Sequence, residues 1–150
     1  MGKSKKEKKE EPYKLFRFVI PYSDTVDMAK KILLMYNSYV ESTGEKALID
    51  DRHMNLLSYY FVFGYSQETR KKFSHCFSME MRYISVLDTE MKNRGLLVDP
   101  DGNFRTRRLC DDLQNMKRLF IDENDEDRCA VVALFCRKTI FDNIDREEGQ

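Results

Sequence analysis

Residues 66–108 read SQETRKKFSHCFSMEMRYISVLDTEMKNRGLLVDPDGNFRTRR. Their pattern predicts two helices followed by a β-hairpin. Ser66 is a helix-capping type, with Gln67 and Glu68 in the first turn behind it. Phe73 and Phe77 lie four apart and mark the inner face of a short helix. After Ser78 a longer helix is expected over 79–94, with Met81, Ile84, Leu87 and Met91 facing inward. Arg94-Gly95 closes it, with a cation in the last turn and glycine just past the end. Asp99-Pro100-Asp101-Gly102 is a turn sequence: proline presets φ, Asp tolerates the next position and Gly takes the left-handed one. The segments on either side of it, Leu96–Val98 and Phe104–Arg108, are the expected strands of the hairpin.

Upstream, Met54–Phe63 is apolar on nearly every side and reads as a core helix stopped by Gly64. Val26, Ala29, Leu33, Tyr36 and Val40 predict a helix over 24–41, ended by Ser42-Thr43-Gly44. Residues 13–20 are aromatic and β-branched and read as a strand stopped by Pro21. Residues 1–12 hold five lysines and almost nothing to bury, so they are expected to form a disordered basic arm. Downstream, Leu109, Leu113, Met116 and Phe120 predict a helix over 109–120. Asp122–Asp127 reads as an acidic turn and Cys129–Lys138 as an apolar strand able to pair with residues 13–20. Residues 146–150 are expected to fray.

The chain has 150 residues, the size of one domain. The expected fold class is therefore α+β: a mostly helical single domain over 13–145 with a small antiparallel sheet. Lysine and arginine (26) balance aspartate and glutamate (26), which excludes a polybasic protein. The balance is uneven along the chain: residues 1–110 carry net +5 and residues 111–150 net −5. The longest uninterrupted apolar run, Ala130–Cys136, is far short of the roughly 20 residues that span a bilayer, so no membrane association is expected. With no apolar export segment behind the charged N-terminus, the four cysteines are expected to be reduced, mostly buried thiols of a cytoplasmic protein.

Signals for chemistry are weak. The cysteines form no C-x-x-C pair, and with two histidines in the chain no metal site or other cofactor is expected. His75 and Cys76 are adjacent and point about 100° apart on a helix, which predicts a surface imidazole and a buried thiol rather than a catalytic pair. The acidic run at 122–127 lacks the glycine and glutamate of a calcium loop. Asp50-Asp51 and Asp111-Asp112 are sequential rather than facing. No phosphate-binding loop or hydrolase motif occurs, so neither an enzyme nor a small-molecule substrate is expected.

The order of buried helix, short helix, polar turn, longer helix and basic hairpin is that of a winged helix-turn-helix. Ser66–Leu97 resembles MarR-like winged-helix regulators: Phe73 and Phe77 fall at the inner positions of the second helix, Ser78 at the turn, and Arg94-Gly95-Leu96-Leu97 at the exit into the wing. The chain departs from that pattern at Ser78, where the turn usually has glycine, and at Glu80, a carboxylate at the front of the recognition helix. The resemblance implies a winged helix over 52–110, with a recognition helix at 79–94 and a wing at 96–108.

Two functions follow as expectations. The first is a small non-enzymatic protein binding double-stranded DNA, a transcriptional regulator or a replication or packaging accessory. The outward set on the longer helix is Met79, Arg82, Tyr83, Ser85 and Val86. Of these Arg82, Tyr83 and Ser85 would enter the groove, while Arg70, Lys71, Lys72, Arg105, Arg107 and Arg108 would hold phosphates. The second is an assembly protein that uses the same scaffold for contacts with a protein partner or a second copy, through the apolar segments 13–20 and 130–136. One continuous positive face joining Arg82 to Arg107 would favour the first, and arginines neutralised by Asp111 and Asp112 the second.

Overall fold

The computed structural model describes residues 14–43, 48–123, 129–132, 135 and 137–140. The basic arm at 1–12, most of the acidic turn, and the tail at 146–150 lie outside them. Five α-helices and a two-stranded sheet follow in order: α1 (Thr25–Thr43), α2 (Asp51–Phe63), α3 (Gln67–Phe77), α4 (Met81–Asn93), β1 (Leu97–Val98), β2 (Arg108–Leu109) and α5 (Asp111–Lys117). A 3-10 turn at Phe104–Thr106 lies between the strands, and a π turn at Arg118–Asp122 continues α5. The fold is mostly helical with a small antiparallel sheet, as the α+β expectation has it. No helix among the described residues is long and apolar enough to cross a membrane.

Helix α1 starts where its polar residues satisfy one another. Asp24 Oδ1 accepts from the Asp27 amide at 2.8 Å, and Asp27 Oδ2 accepts from the Ser23 amide at 3.0 Å. Its apolar stripe, Met28, Ala29, Ile32, Leu33, Tyr36 and Val40, is buried, and α1 packs more extensively against α2 than any other helix pair does. Asn37 clamps the returning chain: its side chain donates to the Ile49 carbonyl at 2.9 Å and accepts from the Ile49 amide at 2.7 Å. Leu56, Leu57, Tyr60 and Phe61 of α2 then meet Phe73 of α3 and Ile84, Leu87 and Met91 of α4 in one core.

The turn between α3 and α4 rests on one residue. Ser78 has φ 50° and ψ 43°, the left-handed conformation, and is the only non-glycine residue with positive φ among those described. This is the position at which the resemblance expects glycine, the residue that adopts that conformation without strain. At the far end of α4, Gly95 has φ 80°, which lets the Leu96 amide reach back to the Met91 carbonyl at 3.0 Å. The chain then enters β1, where Leu97 opposes Leu109 and Val98 opposes Arg108.

Several sequence expectations are corrected. Lys14–Ile20 lies in no helix or sheet, and its apolar side chains are exposed. A β-prone composition forms a strand only where an edge is free to pair with it. The hairpin is shorter than expected because Asn103 competes locally. Its side chain accepts from the Arg105 amide at 3.0 Å and its carbonyl accepts from the Thr106 hydroxyl at 3.0 Å. Phe104–Thr106 thus turns into a 3-10 helix, leaving only Arg108–Leu109 to pair. The helix expected from 109 starts at Asp111, since Leu109 pairs in the sheet and the Cys110 amide donates to the Leu96 carbonyl. Of the strand expected at Cys129–Lys138, none of the described residues lies in a sheet, and Lys138–Ile140 is a helical turn. Phe77 is 42% exposed rather than inward, and Cys76 is exposed rather than buried.

Candidate functional site

The nine side chains singled out for phosphate or bases lie on α3, on α4 and in the hairpin region. Five of these nine side chains are engaged within the fold. Arg70, on α3, holds its Nε 3.0 Å from Asp88 Oδ2 and donates through its other nitrogens to Gln67 (2.9 Å) and Ser85 (2.6 Å). Ser85 is thereby taken too, and it also donates to the Met81 carbonyl at 3.1 Å. The Tyr83 hydroxyl accepts from Arg52 of α2 at 3.3 Å. Arg107 grips Asp99 in a fork, Nε to Oδ1 at 2.7 Å and Nη2 to Oδ2 at 3.1 Å, with both side chains nearly buried. Arg108 meets Asp111 at 3.0 Å.

The other four are open. Arg82 is 88% exposed and meets only Glu80, at 3.3 Å. Lys71 and Arg105 are exposed without a carboxylate partner among the described residues. Lys72 is exposed with its ammonium 3.8 Å from the centroid of the Phe63 ring, a contact that leaves its charge uncompensated.

Two carboxylates organise the engaged set. Asp88 lies on the inner face of α4 and is 1% exposed. It accepts from the Tyr60 hydroxyl at 2.6 Å and the Tyr65 hydroxyl at 3.2 Å, besides its contact with Arg70. Burial pushes its carboxyl above the usual carboxylate range, and the Tyr60 hydrogen bond and the Arg70 charge oppose that rise. Asp99 shows the opposite shift. The Arg107 hydrogen bonds, aided by Lys92 at 3.3 Å, hold it below the usual range. Asp88 thus ties α2, α3 and α4 together, and Asp99 locks the hairpin to the end of α4.

The front of α4 is apolar. Phe77, Ser78, Met79, Glu80, Arg82, Tyr83 and Val86 line a shallow depression of about 510 Å³. Phe77 extends it inward by stacking on Phe73, with ring centroids 4.4 Å apart, and by meeting the Tyr59 ring edge-on at 5.8 Å.

No family model, curated protein or solved structure matches this chain. The face is therefore read from its own geometry. Sequence reasoning did not find the roles of Asp88 and Asp99 as arginine partners. The spacing of Asp88 and Asp99 from Arg70 and Arg107 carries no local signal, because the first of these contacts joins two helices. Among the described residues no group of three or more His, Cys, Asp or Glu side chains is arranged to hold a metal ion.

Proposed function

We propose that this chain is a non-enzymatic winged-helix protein whose α4 face makes protein contacts, an assembly component of the cytoplasm. The winged-helix reading is supported by the order α2, α3, left-handed turn, α4 and two-stranded hairpin. One observation carries the choice of partner class: three of the four arginines expected to hold phosphate are paired with aspartates inside the fold, while Tyr83 and Val86 stand exposed on α4. Arg70, Arg107 and Arg108 each meet an aspartate at 2.7–3.0 Å. A DNA-reading surface needs uncompensated cations to displace counterions, and each lost phosphate contact lowers the salt dependence of binding. Tyr83 and Val86, 44% and 48% exposed, instead offer the aromatic and aliphatic anchors on which protein interfaces rely.

The second reading, a duplex-DNA-binding regulator or accessory factor, is favoured by Lys71, Lys72, Arg82 and Arg105, which remain exposed. Fluorescence anisotropy with a mixed-sequence duplex at low and at physiological salt separates the two. The protein-contact reading expects no binding beyond a weak, non-specific association at low salt. Tight binding that weakens steeply with salt, and that falls in Arg82→Ala and Lys71→Ala, would overturn it in favour of DNA.

A further inference from the structure

His53, in the first turn of α2, is fully buried, and neither of its ring nitrogens makes a hydrogen bond among the described residues. Buried polar atoms are nearly always paired, so an unpaired imidazole in the core calls for a reason. Two ion pairs close the seam in which it lies, joining the start of α2 to the end of α4. Arg52 forks onto Glu90, Nη2 to Oε1 at 3.0 Å and Nη1 to Oε2 at 3.3 Å. Arg94 meets Asp50 at 2.8 Å and donates to the Leu48 carbonyl at 3.3 Å.

A short line of contacts runs from the buried ring to the surface. His53 Nε2 lies 3.8 Å from Glu90 Oε1, the same oxygen that Arg52 Nη2 holds. That Arg52 nitrogen also donates to the Tyr83 hydroxyl, at 3.3 Å, on the outer face of α4. At 3.8 Å the uncharged ring and the carboxylate are not hydrogen-bonded. A proton taken from solvent changes this. The imidazolium can donate from Nε2, and its charge attracts Glu90 and repels Arg52. Arg52, with 53% of its side chain exposed, has solvent to turn to. We infer that His53 is an internal pH sensor: on gaining a proton it draws Glu90 away from Arg52 and so releases the Tyr83 hydroxyl on the outer face of α4.

The surroundings set the range of the sensor. Asp50 and Arg52 act on the ring from the start of α2, and Glu90 and Arg94 from the end of α4. Asp51, next to them in the chain, is exposed. The buried stripe of α1, packed against α2, adds only Tyr36 as a titratable group, and burial pushes its hydroxyl up to about 12. Helices α3 and α5, which also pack on α2, bury Thr69, Phe73 and Leu113, none of which titrates. Burial, and then the Arg94 charge, push the imidazole below its ordinary value of 6.5, against the pull of Glu90 and Asp50. The ring is therefore uncharged at neutral pH and takes its proton only below the ordinary histidine range.

Aromatic proton–carbon NMR of the full chain tests this in a His75→Gln background, which leaves His53 as the only imidazole. As the pH falls from about 7.5 to about 5, the His53 and Tyr83 ring signals should move with one midpoint. With His53→Gln, the Tyr83 signal should stay still over that range. Glu90→Gln should lower the His53 midpoint and uncouple Tyr83 from it, whereas Arg94→Met should raise the midpoint. The first removes a charge that favours the proton and the second a charge that opposes it. Loosened packing would not shift the two variants in opposite directions, and unchanged far-ultraviolet circular dichroism at neutral pH shows that each still folds.

A Tyr83 signal that ignores the His53 proton, or that moves equally in His53→Gln, overturns the inference. So do midpoints displaced in the same direction by Glu90→Gln and Arg94→Met, or an imidazole that takes no proton before the chain unfolds in acid. The inference goes beyond the protein-contact reading, and its test needs no partner. A failed titration leaves that reading intact, whereas steep salt-dependent duplex binding removes that reading and leaves the sensor in place.

Discussion

The two faces of α4 carry the opposite of what each is expected to carry. The inner face, with Ile84, Leu87 and Met91, also buries the Asp88 carboxylate. The outer face, which meets solvent, presents Tyr83 and Val86 beside Arg82. The inner charge is tolerated because it is surrounded by donors: two tyrosine hydroxyls and a guanidinium reach it from α2, the α2–α3 connection and α3. On the outer face the Tyr83 hydroxyl accepts from Arg52, while its ring and Val86 stay 44% and 48% exposed. The difference teaches how each face is satisfied: the Asp88 carboxylate meets its donors inside the molecule, whereas Tyr83 and Val86 stand open to solvent.

The sharpest way to break this comparison is Asp88→Ala. It leaves the buried Tyr60 hydroxyl without its acceptor and the half-buried Arg70 without its carboxylate, and a loss of about 3 kcal/mol is expected in urea unfolding. A loss below about 1 kcal/mol would mean that the inner network is not what holds α3 against α4.

His53 supplies the next test. It is fully buried on α2, its Nε2 lies 3.8 Å from Glu90, and burial together with the Arg94 charge pushes its imidazole below the ordinary value of 6.5. The unfolded chain therefore binds a proton more readily than the folded one just below pH 6.5. Stability should fall as pH drops from there toward the folded-state pKa, by at most about 1.4 kcal/mol per pH unit. Asp88, with its raised pKa, acts in the opposite direction, so the comparison must be made against His53→Gln. Unfolding at pH 7.5 and 5.5 should show the smaller acid loss in the variant. Equal losses would remove His53 as the cause.

Ser78→Gly sharpens the comparison at the turn where the two faces begin. Removing the strained Cβ at positive φ should stabilise the chain by up to about 1 kcal/mol, read as a raised urea midpoint at unchanged slope. A destabilisation would show that the Ser78 side chain contributes more than its backbone strain costs. The smallest effect is expected on the outer face. Val86→Glu should change monomer stability by no more than about 0.5 kcal/mol. A larger loss would place Val86 in the core and close the apolar face to a partner.

Much of the helical frame was legible in the residues. Ser66 does cap α3, its side chain accepting from the Thr69 amide at 3.1 Å. Gly95 does take positive φ, and Ile84, Leu87 and Met91 are buried as their spacing requires. Helix signals are local, because caps and periodicity act within a few residues of one another. The strands were less legible. Residues 13–20 have strand composition, yet the described 14–20 join no ladder, and Phe104–Thr106 yielded to the hydrogen bonds of Asn103. The candidate site divided in the same way: that Arg82, Tyr83, Ser85 and Val86 point outward from α4 was readable from helical spacing, and which side chains pair within the fold was not.

The sequence by itself determined that these helices form, roughly where each lies, and most of the apolar stripe that each buries. Only the tertiary structure decided that Arg70 meets Asp88, that Arg107 grips Asp99, and that Phe77 and Cys76 open to solvent beside α4. The physical reason is range. Caps, turns and periodicity depend on neighbours along the chain, whereas an ion pair depends on which helices have been brought within about 4 Å of each other. Charge is written in the sequence, but its availability to a partner is set by packing.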